Sequence, residues 1–242
     1  MMQQPTFKSF GKHAVLLTWK LAITEDIHLE VEQWNAFLSE IFFNEIVETV
    51  PTYQALAIYL KPFYTSEDFI RKFRKLDVSF NSIISPSNFT YNIPVCYTGE
   101  YAPDISEVAK QHHVSVSEVI CHHTAPEYLV YFLGFLPGFP YLGGLSEKLY
   151  TPRKNKPRRL VRAGSVGIGG KQTGIYTQNS PGGWNIIGAS PLHFFNPLRS
   201  SPALLKSGDR IKFTAISEIE FKEIEEAVKQ DNYTIQKEVR ND

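Results

Sequence analysis

Apolar residues recur along the first ninety or so positions in two rhythms, and each rhythm predicts an element. His13–Trp19 is a short apolar run of strand length. Ile27, Val31, Trp34, Leu38 and Ile41 then repeat at three- and four-residue steps, which lines them along one face of a helix. Two further strands, Ile46–Val50 and Ala55–Leu60, are parted by a turn at Pro51. Thr65 is placed to cap a second helix, with Asp68 at its third position and Phe69, Ile70, Phe73 and Leu76 on its buried side. A strand at Tyr91–Cys96 completes a β-α-β-β-α-β order, the signature of a ferredoxin-like α/β domain over residues 1–92.

Residues 93–242 follow a different pattern. A loop with Gly99 and Pro103 leads to two short helices, the second opened by Ser115 with Glu118 three residues on, a capping-box arrangement. From Tyr128 onward, strand-like runs are cut by prolines, and twelve of the fifteen glycines fall between Gly134 and Gly188. Many turns and little helix favour a β-barrel or sandwich, which makes the whole chain α+β. Ile219–Lys229 reads as an exposed helix, followed by a polar tail that frays.

At 242 residues with 43% hydrophobic content, the chain has enough apolar surface for two cores. No run approaches the roughly 18 apolar residues that cross a bilayer, and Met1–Lys12 lacks the apolar centre of a secretory signal, so a cytoplasmic protein is expected, with no membrane partner. The two cysteines, Cys96 and Cys121, make neither a disulfide scaffold nor a zinc spacing, and no metal is expected. The 25 basic and 25 acidic residues balance overall but not locally. Lys148–Gly208 holds ten cations and no acid, which points to an anionic ligand or to acidic surface of this chain or a partner.

Three runs could line a cleft. Tyr131–Leu145 (YFLGFLPGFPYLGGL) sets Phe139 and Tyr141 among rigid prolines and glycines. Ala163–Tyr176 (AGSVGIGGKQTGIY) fails the Walker A test, because Ser165 stands at the first glycine and Gln172 follows Lys171. It also fails the dinucleotide fingerprint, and a glycine-rich β-turn explains it more simply than an anion nest. Asn179–Trp184 (NSPGGW) marks a tight turn with Trp184 as a core aromatic. Between the first two runs, Arg153, Lys154, Lys156, Arg158, Arg159 and Arg162 form a basic stretch from which one or two guanidinium forks can grip a carboxylate or phosphate. No nucleic-acid motif accompanies these cations. His112, His113, Cys121, His122 and His123 invite a metal or Cys/His nucleophile reading, but adjacent helical residues diverge by about 100 degrees, so each histidine pair offers only one member to a common site. His123, near a helix C-terminus, is either a dipole partner or a general acid/base.

Taken in order, IPVCY, HTAPEYLVYFLGFLPGFPYLGGL, the TPR after Tyr150, AGSVGIGGKQTGIY, SPGGWNIIG and SGDRIKF resemble the KipI family, also called allophanate hydrolase subunit 1 or the 5-oxoprolinase B subunit. The match covers roughly Ile93 to Phe213 closely and the first domain in outline. It implies a cyclophilin-like β-barrel after a small α/β unit. It also implies work with a KipA-type C subunit and with an A subunit, using ATP as co-substrate to open 5-oxo-L-proline to L-glutamate. Related domains occur in urea carboxylase.

The family's pocket motifs map onto His123, Phe139, Tyr141, Arg158, Gln172, Thr173 and Tyr176. The expected roles are Arg158 on the carboxylate or phosphate of a small ligand, Gln172 on its amide and His123 as proton carrier, with Phe139, Tyr141, Thr173 and Tyr176 binding the substrate. Arg158, Gln172 and Tyr141 are accordingly expected to converge on one pocket. The chain departs from the family pattern at Arg162 and Lys171. The alternative that the resemblance carries is a regulatory inhibitor of a sensor histidine kinase.

Overall fold

The computed structural model describes residues 5–19, 23–76 and 89–239. They fall into two compact units, Met1–Ser85 and Pro86–Asp242.

The first unit is a four-stranded antiparallel sheet with two helices. Its elements run β1 (Thr6–Ser9), β2 (Ala14–Thr18), α1 (Glu25–Ile41), β3 (Ile46–Pro51), β4 (Ala55–Leu60) and α2 (Ser66–Phe73), with sheet order β1-β2-β4-β3. Alternate residues of the two central strands, Val15 and Leu17 with Leu56, Ile58 and Leu60, turn to one face. There they bury Val31, Trp34 and Leu38 of α1 and Phe69 and Phe73 of α2. Each helix starts where a threonine hydroxyl takes an otherwise unpaired amide: Thr24 accepts from Ile27, and Thr65 from Asp68. The ferredoxin-like closure expected over residues 1–92 is not formed. Thr6–Ser9 occupies the sheet position beside β2, and the strand expected to fill it lies in the second unit. Of the four residues of β1 only Phe7 packs on the core and the other three are exposed, so no apolar rhythm marked them as a strand.

The second unit is a closed barrel. It contains β5 (Phe89–Cys96), α3 (Ile105–Gln111), α4 (Val116–Thr124), β6 (Glu127–Leu133), β7 (Pro140–Gly143), β8 (Arg158–Val161), β9 (Ser165–Gly169) and β10 (Gln172–Ile175). After these come β11 (Ser180–Gly182), β12 (Asn185–Ala189), β13 (Arg210–Ile216), α5 (Glu218–Lys229) and β14 (Lys237–Val239). Seven strands follow one another as β12-β9-β10-β7-β6-β13-β5, and Ala189 opposite Cys96 joins the last to the first. All neighbours are antiparallel except β5 and β13, paired in parallel from Thr90↔Arg210 to Ile216↔Cys96. That pairing draws Tyr91–Cys96 away from the first unit. The expected polar tail is likewise part of the structure, since β14 pairs with β5 and Tyr233 and Ile235 pack on the core, while residues 240–242 lie outside the described residues. Strands β8 and β11 form a separate two-stranded ribbon.

Inward residues alternate along the barrel strands: Tyr128 and Val130, Val166 and Ile168, Ile211 and Phe213, Ile93 and Val95. The capping box at Ser115 and Glu118 fixes the start of α4, whose far end delivers His123 to this core. The glycine-rich run resolves as β9, a turn at Gly170 (φ +68°) and β10. Gly167, Gly169 and Gly174 occupy its outer face because aromatics press on that face. A Cβ on Gly169 would meet the Trp184 indole at 2.5 Å, and one on Gly174 the Phe139 ring at 3.0 Å. Among the described residues no helix is long and apolar enough to cross a membrane.

Gly164 joins β8 to β9 with φ +82°, and an added Cβ would lie 2.4 Å from the Ser190 carbonyl oxygen, to which no side-chain motion gives relief. Gly164→Ala is therefore expected to cost about 1–3 kcal/mol of stability. A lowered urea midpoint at unchanged slope is the confirming result.

Candidate functional site

The aromatic residues docked on the outer face of β9 and β10 leave a cavity of about 260 Å³. Phe139 leads into β7, Tyr176 follows β10, and Trp184 precedes β12. Their rings meet edge to face, with Phe139 5.6 Å from both Tyr176 and Trp184 at angles of 88° and 82°. Tyr141 tilts against Phe139 at 5.2 Å. At the mouth, Phe135 is 64% exposed and held at φ +68°, a backbone region that costs a non-glycine residue energy. Arg153 completes the wall, its guanidinium 5.8 Å from the Trp184 ring. Among the described residues, no Asp or Glu lines the cavity.

The two phenols in this cavity stay protonated at neutral pH. Burial pushes Tyr141 and Tyr176 above the ordinary phenol value, with the Arg153 charge acting in the other direction. The Trp184 backbone amide hydrogen-bonds the Tyr176 oxygen, which leaves that hydroxyl's own proton to be donated.

Behind the cavity wall, the cations before and on β8 meet a single carboxylate. Asp104, at the start of α3, is 3% exposed. One of its oxygens takes Arg158 Nη2 at 2.6 Å and Lys154 Nζ at 3.0 Å, and the other takes the Ile186 amide at 2.6 Å. Burial alone would raise this carboxyl, but the bonds from Arg158, Ile186 and Lys154 together hold it below the ordinary carboxylate value. Lys154 also reaches Glu107, while Arg162 pairs with Glu100 and Arg199 with Asp231. The acid-free segment is thus offset in part by acids of the same chain.

A third group sits inside the barrel. His123 has no exposed surface and stacks on Phe213 at 4.5 Å. Its Nε2 lies 2.9 Å from Thr173 Oγ1, and its Nδ1 2.7 Å from the Tyr97 hydroxyl. Thr173 donates its own proton to the Gly167 carbonyl, so it accepts from Nε2–H, and Nδ1 is left to accept from Tyr97. The imidazole is neutral, since burial pushes it down from 6.5 to about 3.

Of the residues expected to form one site, Phe139, Tyr141 and Tyr176 line the cavity. Arg158 does not line it, because its fork is turned to Asp104. Thr173 and His123 form the internal network instead. The strand alternates, so the Thr173 side chain points in while Gly174, the next residue, underlies Phe139 on the outside. Gln172 is half-buried opposite Gly169 and is not part of the cavity wall. The expected convergence of Arg158, Gln172 and Tyr141 on one pocket is therefore not observed. Three contributors escaped sequence reasoning. Arg153 was one cation among six, Trp184 read as core alone, and Asp104 gave no local signal because its partners lie in distant segments. Among the described residues no group of three or more His, Cys, Asp or Glu is placed to hold a metal ion.

The family described as carboxyltransferase domain, subdomain C and D, matches residues 5–205. The chain belongs to this family. The KipI resemblance is borne out as well, for the chain is 38% identical to the 5-oxoprolinase B subunit of Bacillus subtilis (strain 168) over 225 residues, 88% of this chain and 94% of that protein. The solved structure of TTHA0988 is similar to this KipI-family chain at 33% identity and TM-score 0.71, over 84% of this chain and 40% of the other. The chain thus spans two fifths of that molecule. The urea amidolyase of K. lactis shares the fold, with TM-score 0.78 at 18% identity over 97% of this chain and 16% of that one.

His123 makes the stability of this KipI-family chain depend on pH. Because the folded value, about 3, lies below the unfolded 6.5, the unfolded chain takes the proton first. The stabilisation is complete above about pH 6.5 and is lost as the pH falls toward about 3, at about 1.4 kcal/mol per pH unit. His123→Phe keeps a ring on Phe213 and cannot be protonated. Its urea midpoint is expected to drop less than the wild-type midpoint between about pH 7 and about pH 5. Equal drops would place the sensitivity in other groups.

Proposed function

We propose that the chain is the B subunit of an ATP-dependent 5-oxoprolinase, acting with an A subunit and a KipA-type C subunit to open 5-oxo-L-proline to L-glutamate. The similarity to the 5-oxoprolinase B subunit along nearly all of that protein supports the assignment. The observation that carries the chemistry is the cavity. It is small, walled by aromatic rings, free of acids among the described residues, and supplied with phenol donors and a cation.

Such a cavity suits a small ring bearing a carboxylate. The substrate's amide is unreactive, so opening requires its carbonyl to be activated. In this reading ATP transfers its terminal phosphoryl group to the lactam oxygen and ADP departs. Water then adds to the activated carbon, the ring C–N bond breaks with its electrons going to nitrogen to leave an acyl phosphate, and a second water hydrolyses that to the carboxylate and free phosphate. Tyr141 and Tyr176 are the donors placed to hold the lactam oxygen or its charge as it develops. The aromatic side chains of the wall enclose the substrate ring, and exclusion of water strengthens each polar contact. In the same reading Arg158 acts through Asp104 and the loop it anchors, and His123 acts through the barrel wall.

The isolated chain is expected to hydrolyse no ATP in response to 5-oxoproline and to do so once the A and C subunits are added. Co-expression with the C subunit, followed by size-exclusion chromatography and an assay after addition of the A subunit, checks both points. Full turnover by the chain alone would overturn the assembly. Tight binding to a sensor histidine kinase without association with the C subunit would favour the inhibitor reading.

A further inference from the structure

Arg153 has no carboxylate within ion-pair distance among the described residues, and of the basic stretch it alone lines the cavity. Lys154 and Arg158 both converge on Asp104, so two of three nearby cations are committed to one acid and the third is left at the cavity wall. Its backbone is held from both sides. Asn185 Nδ2 donates to the Pro152 carbonyl at 2.9 Å, and the Lys154 amide donates to the Gly183 carbonyl at 2.7 Å. Farther along, β8 is tied to β11 through Arg158 and Gly182. The segment that carries Arg153 is therefore fixed before any ligand arrives, and little ordering remains to oppose binding.

From this arrangement we infer that the cavity selects small carboxylates that lack a basic nitrogen, with Arg153 as the residue that grips the carboxylate, and that it rejects free α-amino acids. The inference rests on the reading of this cavity as the ligand site and names its substrate class. A guanidinium offers two parallel donors to a carboxylate, while the tyrosine hydroxyls beside it add neutral donors. An ammonium group meets the opposite conditions. The wall supplies no acid among the described residues to balance it, and Arg153 itself repels it. Aromatic faces ordinarily attract cations, but the Trp184 face already carries the guanidinium. A ring amide next to a carboxylate is accepted because its nitrogen is uncharged at neutral pH. Hydrolysis of that amide turns the nitrogen into an ammonium, so the same wall that holds the substrate expels the product.

Calorimetric titration of the full chain tests this with cyclopentanecarboxylate, 5-oxo-L-proline, 2-pyrrolidinone, L-proline and L-glutamate. The first two are expected to bind, and the other three to bind at least about 10-fold more weakly. Arg153→Ala is expected to lose about 10- to 100-fold in affinity for the two carboxylates, and to leave 2-pyrrolidinone unchanged. Arg153→Lys keeps the charge without the fork and is expected to fall between. Lys156→Ala, outside the cavity wall, leaves all five unchanged. Thermal melts of each variant confirm that the chain is folded. Equal affinity for L-proline and 5-oxo-L-proline, no loss in Arg153→Ala, or no carboxylate binding by the folded wild-type chain overturns the inference. The two readings separate cleanly. Arg153-dependent binding of cyclopentanecarboxylate without binding of 5-oxo-L-proline sinks the 5-oxoprolinase assignment and keeps this one. Binding of 5-oxo-L-proline that ignores Arg153 does the reverse.

Discussion

One buried carboxylate holds the site together. Asp104 receives a guanidinium, an ammonium and a backbone amide, and these come from β8, from the segment before it and from β12. A carboxylate removed from water is tolerated only when its oxygens are saturated in this way. The consequence is positional: α3, the basic segment and the strand after Trp184 are fixed relative to one another by a single side chain. The aromatic cavity lies on the other side of that segment, so its shape depends on a residue that never touches it.

The second constraint is steric. A barrel wall normally carries side chains on both faces, and the outward ones keep other groups at a distance. At Gly167, Gly169 and Gly174 this wall has none, so Trp184 and Phe139 rest directly on the backbone. The aromatic layer is thus a small second core outside the barrel, joined by Val161 and Ile186. Its exposed surface is the cavity. Glycine here removes bulk so that a ligand wall can be built from neighbouring loops, and none of these three positions has a positive φ.

Periodicity made the first sheet's central strands, both of its helices and the caps at Thr65 and Ser115 legible, because those signals are local and repeat within a turn or two. It did not reveal that Tyr91–Cys96 belongs to the barrel. An apolar strand looks the same whichever sheet receives it, and the partner that decides the matter, Arg210–Ile216, lies far along the chain. The site divided along the same line. Phe139, Tyr141 and Tyr176 stood out through the prolines and glycines around them. The roles of Arg153 and Arg158 could not be told apart, since the difference is which one faces Asp104. His123 was marked by its chemistry, yet its Tyr97 and Thr173 partners, which occupy both ring nitrogens, lie 26 residues before it and 50 residues after it.

The parallel pairing of β5 with β13 also bears on how the chain acquires its fold. The first barrel strand to leave the ribosome has as its main neighbour almost the last, and every other strand of the ring is made in between. Local pairs such as β6 with β7 and β9 with β10 form as soon as they are synthesised, but the ring cannot close before Arg210–Ile216 is available. Until then β5 presents an unpaired edge with Ile93 and Val95 uncovered, the condition in which a nascent chain most needs protection from its neighbours.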